Sequence, residues 1–121
     1  MGSSAARLVA VVLALVTVVL AAALLRTEPG PYVVTAIDYH FHDAHPTLPI
    51  EPGRALVVKN AGRNVHNVTI PALQISEDVR PGDRITIPSI GDELPPGRYP
   101  LICNIHDRSF GMTGTIVISS G

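Results

Sequence analysis

The stretch Arg98-Tyr-Pro-Leu-Ile-Cys103-Asn-Ile-His106-Asp-Arg-Ser-Phe-Gly-Met112-Thr-Gly-Thr-Ile-Val-Ile118 is two strand-like runs joined by a loop. The loop holds a thiol, an imidazole and a thioether within ten positions. Cys103 is the only cysteine of the chain, His106 is one of five histidines and Met112 one of two methionines. In the run that follows, Thr115, Val117 and Ser119 point one way and Ile116 and Ile118 the other, as in a half-buried strand.

Working outward, the region after residue 31 breaks into similar short runs of valine, isoleucine, threonine and tyrosine, separated by proline and glycine. They are Tyr32 to Phe41, Ala55 to Lys59, Val65 to Ile70, Arg84 to Ile87, Arg98 to Cys103 and Thr113 to Ile118. Pro71 to Val79 has no clear period and reads as a loop or a short helical turn. Of the 11 prolines and 10 glycines, most fall between the runs. Six or seven short strands with regular turn signals make the fold all-β, an antiparallel sandwich or barrel.

The N-terminal part is different. From Leu8 to Leu25 every residue is apolar except Thr17. As a helix this run spans about 27 Å, close to the hydrocarbon thickness of a bilayer. It has no polar face, which argues against a buried core helix. Residues 1–26 are read as a membrane anchor or a signal peptide. The length favours the anchor, whereas Arg7 and Ala21-Ala22-Ala23 fit a cleaved signal. Either reading exports the rest, to a periplasmic or cell-surface location. Residues 27–31 form a linker and 32–121 the domain.

Without residues 1–26 the chain has 7 basic and 10 acidic residues, a net charge of −3. No basic patch appears, so nucleic acid is not an expected partner. One cysteine makes no internal disulfide, and in an exported domain a metal is one way to occupy the thiol.

Copper that cycles between two oxidation states needs ligands acceptable to both. Two imidazoles, a thiolate and a distant axial thioether form the blue-copper arrangement. Cys103, His106 and Met112 supply three of these donors, and His66 is the best placed candidate for the second imidazole. Zinc has little use for methionine and normally takes another strong donor. A Cys–His nucleophile needs an oxyanion hole and an orienting group, for which there is no signal.

Asn60-Ala-Gly-Arg-Asn-Val-His66-Asn67-Val68, Tyr99-Pro-Leu-Ile-Cys103-Asn-Ile-His106 and Gly111-Met112-Thr-Gly114-Thr-Ile-Val117 together resemble the small type 1 copper proteins, the cupredoxins. The similarity is greatest to the plastocyanin and amicyanin branch and covers about residues 31–121. It implies a Greek-key β-sandwich with one type 1 copper held by His66, Cys103, His106 and Met112. It also implies that Asn67 helps tie the two ligand-bearing segments together. The spacing from His106 to Met112 is one residue longer than is common in plastocyanins, and Phe110 in the lengthened segment is placed to shield the metal.

A second cluster is Asp38-Tyr-His40-Phe-His42-Asp-Ala-His45. On a strand, Asp38, His40 and His42 share one face, giving either a weak second metal site with His45 or a solvated polar face. The solvated face is preferred, because an isolated histidine pair needs further positioned donors to bind an ion well.

The function expected is a single-electron carrier between redox partner proteins outside the cytoplasm, as a monomeric domain and not an enzyme. Copper oxidases and nitrite reductases need additional histidine-rich sites and further domains. A copper storage or delivery module is the alternative. Ile105, Phe110 and Pro71-Ala-Leu73 are expected to form the apolar contact zone around His106.

Overall fold

A computed structural model describes residues 7–16, 18, 30–44 and 49–120. The strands, in chain order, are β1 (Tyr32–Ile37), β2 (His40–His42), β3 (Leu56–Asn60), β4 (His66–Ile70), β5 (Ile75–Val79), β6 (Arg84–Ile87), β7 (Gly97–Ile102) and β8 (Thr113–Ile118). They form two four-stranded sheets, ordered β2-β1-β3-β6 and β5-β4-β7-β8. The chain passes between sheets after β3, after β5 and after β6, and β1 pairs in parallel with β3. This is the Greek-key sandwich expected.

Alternation drives the packing. In β1, Tyr32, Val34 and Ala36 point inward while Val33, Thr35 and Ile37 are half-buried on the other side. With tryptophan absent, the space between the sheets is filled by aliphatic side chains, among them Leu56, Val58, Val68, Ile70, Leu101 and Ile116. Each fully buried side chain of this kind contributes about 1.5–3 kcal/mol. Tyr32 and Phe41 supply the aromatic part of the core.

Two local expectations are corrected. Tyr32 to Phe41 is not one strand. It turns back at Asp38-Tyr39, where Asp38 takes φ 52, and β2 pairs antiparallel with β1. Aspartate tolerates this left-handed conformation better than most residues, which lets two residues close the hairpin. Pro71 to Val79 is more than the loop or short helical turn expected. A short 3-10 turn at Pro71–Leu73 leads into β5, an edge strand whose Ser76, Glu77 and Asp78 are exposed. Lacking a buried face along most of its length, β5 shows no apolar alternation.

Residues 7–16 form a helix, α1, with exposed apolar side chains including Leu8, Val11, Val12 and Leu15. Among the described residues no helix is long and apolar enough to cross a membrane. Residues 19–29, which hold the remainder of the apolar run and most of the linker, lie outside the described residues. Two further helical turns, α2 (Ile90–Glu93) and α3 (Asp107–Phe110), sit before β7 and between β7 and β8.

Candidate metal centre

Antiparallel pairing of β4 with β7, with Thr69 opposite Ile102, lays the residues that follow β7 alongside the first half of β4. His66 opens β4, and Cys103 follows the end of β7. Both are fully buried. The Asn67 backbone N–H donates to Cys103 Sγ at 3.3 Å, which fixes the sulfur against β4.

The loop from Cys103 to Met112 is closed by its own backbone. The N–H groups of His106 and Asp107 donate to the Cys103 carbonyl at 3.1 and 2.8 Å, starting α3. Gly111, at φ 63, ends it with the left-handed cap that glycine adopts at little cost. Met112 then donates to the His106 carbonyl at 3.3 Å, and its own carbonyl accepts from Cys103 at 3.1 Å. The longer interval between His106 and Met112 is thus taken up by one helical turn. Met112 returns to the core beside Cys103 and is fully buried.

The donor atoms converge. His66 Nδ1 and His106 Nδ1 are 3.3 Å apart, and Cys103 Sγ is 3.4 Å from His106 Nδ1. All three lie within 4.8 Å of one another. A cation with bonds of about 2.0–2.3 Å at the centre of such a triangle holds its donors about 3.5 Å apart. Two ring nitrogens and a sulfur facing one point also match the donor preferences of copper. The residues present fit the metal.

Burial, and secondarily the positive charge His106 can acquire, lowers the pKa of His66 below the ordinary histidine value; Asp38 opposes the shift. At neutral pH the ring is therefore neutral, the form that binds metal. The sign of the pH effect follows. The unfolded chain takes up a proton on this residue near pH 6.5, while the folded chain resists it. Stability of the metal-free protein is full above that pH and falls as pH drops toward the lowered folded value. Urea midpoints should fall between pH 7.5 and 5.5, and His66→Gln should flatten that dependence.

The loop ahead of His66 is organised by Asn60, which is buried. Its Nδ2 donates to the carbonyls of Asn64 and Val79, both at 2.8 Å, and its Oδ1 accepts from the Gly62 N–H at 2.9 Å. Gly62 lies against the His66 ring at the nitrogen that faces away from the other donors, since a Cβ there would stand 3.3 Å from His66 Nε2. The sequence marks this turn through Asn60-Ala-Gly62, but not the buried role of the asparagine.

Asn67 ties the segments in two ways. Its backbone reaches Cys103 directly, while its side chain points to β5, where Nδ2 donates to Asp78 Oδ1 at 2.9 Å and to Ser76 Oγ at 3.3 Å. Ser76 Oγ also accepts from Asn104 Nδ2 at 3.2 Å, so the side-chain link to the cysteine loop runs through β5.

Two rings pack against His106 on the outer side of the centre. Tyr39, from the β1–β2 turn, stacks on Phe110 with centroids 3.7 Å apart and planes 4° from parallel. Both meet His106 edge-on, at 5.1 and 5.8 Å. Phe110 is itself exposed, as are Val65 and Ile105, which precede His66 and His106 in the chain. Tyr39 was not legible as part of this group, because it lies far from the loop in sequence and needs the hairpin to reach it. Pro71–Leu73 is not part of this zone. It follows the opposite end of β4, about 13 Å along the strand from His66.

The second cluster is also divided by the hairpin. Asp38 sits in the turn, not on a strand face with the histidines. His40 and His42 are exposed on the same side of β2, and His45 lies outside the described residues. Among the described residues, no other three such donors converge.

A family model described as a cupredoxin-like domain matches residues 8–118. The chain is a cupredoxin. No curated protein matches it in sequence. Among solved structures, the cupredoxin resembles a reduced amicyanin mutant at 18% identity and TM-score 0.58, covering 78% of this chain and 88% of that one. An oxidised amicyanin mutant matches at 17% identity and TM-score 0.58, with the same coverage. The copper-containing nitrite reductase of Thermus scotoductus matches at 22% identity and TM-score 0.57, covering 78% of this chain and 24% of that one. These likenesses are of fold.

Proposed function

We propose that this cupredoxin carries single electrons between partner proteins outside the cytoplasm, using one type 1 copper. The supporting observation is the convergence of His66 Nδ1, Cys103 Sγ and His106 Nδ1 beside buried Met112. In this reading His66, Cys103 and His106 would hold the metal, with Met112 as a weaker fourth donor. Copper supplies a reversible one-electron change between Cu(II) and Cu(I).

The chain's own residues do the rest. The Asn67 N–H bond to the sulfur and the Cys103–Met112 backbone bond hold the donors in place, so little rearrangement accompanies a change of charge. Tyr39 and Phe110 keep water from the outer edge of His106, and with Val65 and Ile105 they present an apolar surface for a partner. Residues 1–26 would tether the domain to a membrane or direct its export, a reading supported by the exposed apolar side chains of α1.

The test is the visible spectrum and metal content of the purified protein. One tightly held copper, intense thiolate-to-copper absorption and reversible redox cycling are expected. Transfer of copper to an acceptor protein without electron flow would favour storage or delivery instead. Met112→Leu should keep its copper while the reduction potential rises by tens of millivolts, because loss of a weak donor to Cu(II) favours the lower charge. Voltammetry of the two proteins checks this.

A further inference from the structure

A second pair of imidazoles stands apart from the buried centre. His40 and His42 are the two ends of β2, and the register Ile37 opposite His40 and Thr35 opposite His42 fixes their backbone against β1. Phe41 between them is buried in the core, next to the space beside Gly114. With Phe41 held inward, the period of two sends both histidine rings outward on the same side. Their centroids are 5.9 Å apart, with planes inclined at 75°.

We propose that His40 and His42 form a surface metal site that takes Cu(II), and more weakly Ni(II) or Zn(II), independently of the buried centre. Metal–imidazole bonds are about 2.0–2.1 Å long, so two rings sharing an ion must approach somewhat more closely than these do. Rotation of the exposed side chains supplies that approach without moving the backbone. Two neutral nitrogens suit borderline divalent ions in the order that places Cu(II) above Ni(II) and Zn(II), and not Ca(II) or Mg(II), which need oxygen donors. Solvent completes the coordination, so the site binds less tightly than a buried set of three or four donors. With no sulfur among its ligands, it adds no thiolate-to-copper absorption.

The untagged full-length chain tests this on a resin bearing chelated Ni(II), which samples surface imidazoles. Retention and elution by imidazole are expected. His40→Ala and His42→Ala should each lower Ni(II) affinity at least tenfold in solution titration, with circular dichroism unchanged. The visible absorption of the copper-loaded protein should be the same in both variants. A wild-type chain that passes through the resin would overturn the proposal, as would undiminished retention of the His40→Ala/His42→Ala double variant. Because the resin does not read the buried centre, the result stands whether or not that centre takes copper.

Discussion

Cys103→Ala should remove the intense visible absorption of the copper-loaded protein altogether. That absorption requires a sulfur orbital overlapping the metal, and no other cysteine exists to replace it. The same substitution should also act without metal. Cys103 Sγ accepts the Asn67 N–H in the buried end of β4, and alanine leaves that donor unpaired. Stranding a buried donor costs about 1–3 kcal/mol. The metal-free variant should thus unfold at lower urea concentration than the metal-free parent. Cys103→Ser separates the two effects. It restores an acceptor, and with it part of the stability, but a hydroxyl cannot restore the thiolate band. An intense band surviving in Cys103→Ala would show that copper binds elsewhere.

The second large effect is structural. Gly91→Ala should destabilise the protein by about 1–3 kcal/mol, the cost of forcing extra volume into a packed site. A Cβ at Gly91 would stand 2.6 Å from the Glu51 carbonyl oxygen, 3.0 Å from its carbon and 3.0 Å from Pro52 Cα. All three are backbone atoms, so no side-chain rotation relieves the contact. Gly91 lies in α2, directly after fully buried Ile90, and α2 packs on the turn leading into β3. The variant should keep the visible band and the potential of the parent, since the ligands sit elsewhere, while its urea midpoint falls. A midpoint equal to the parent's would mean that α2 does not pack here as described.

What the sequence made legible was what local chemistry enforces. Arg84–Ile87 and Thr113–Ile118 have the strand bounds that their apolar alternation and flanking turns indicate. Cys103, His106 and Met112 were visible because one loop carries them, and His66 because it follows a marked turn. Long-range arrangements were hidden. Nothing near Tyr39 announces that it stacks on Phe110, since the contact exists only after the hairpin folds beneath the ligand loop. Asp38 looked like a strand partner of His40 because period-two counting ignores a left-handed turn. The edge strand β5, polar along its middle, offered no pattern to count.

The described strand borders also bear on how the domain avoids assembling with itself. A sheet border with unpaired backbone groups invites another chain to add a strand. Here β8 uses part of its outer border internally. Ile50 donates to the Val117 carbonyl at 2.7 Å, and its own carbonyl accepts from Ser119 at 2.9 Å. At the far side of the same sheet, β5 exposes Glu77 and Asp78, while β2 offers only three residues. Of the four described borders, one is clipped, one is charged and one is too short to template, while the fourth, β6, is only four residues long and exposes Arg84.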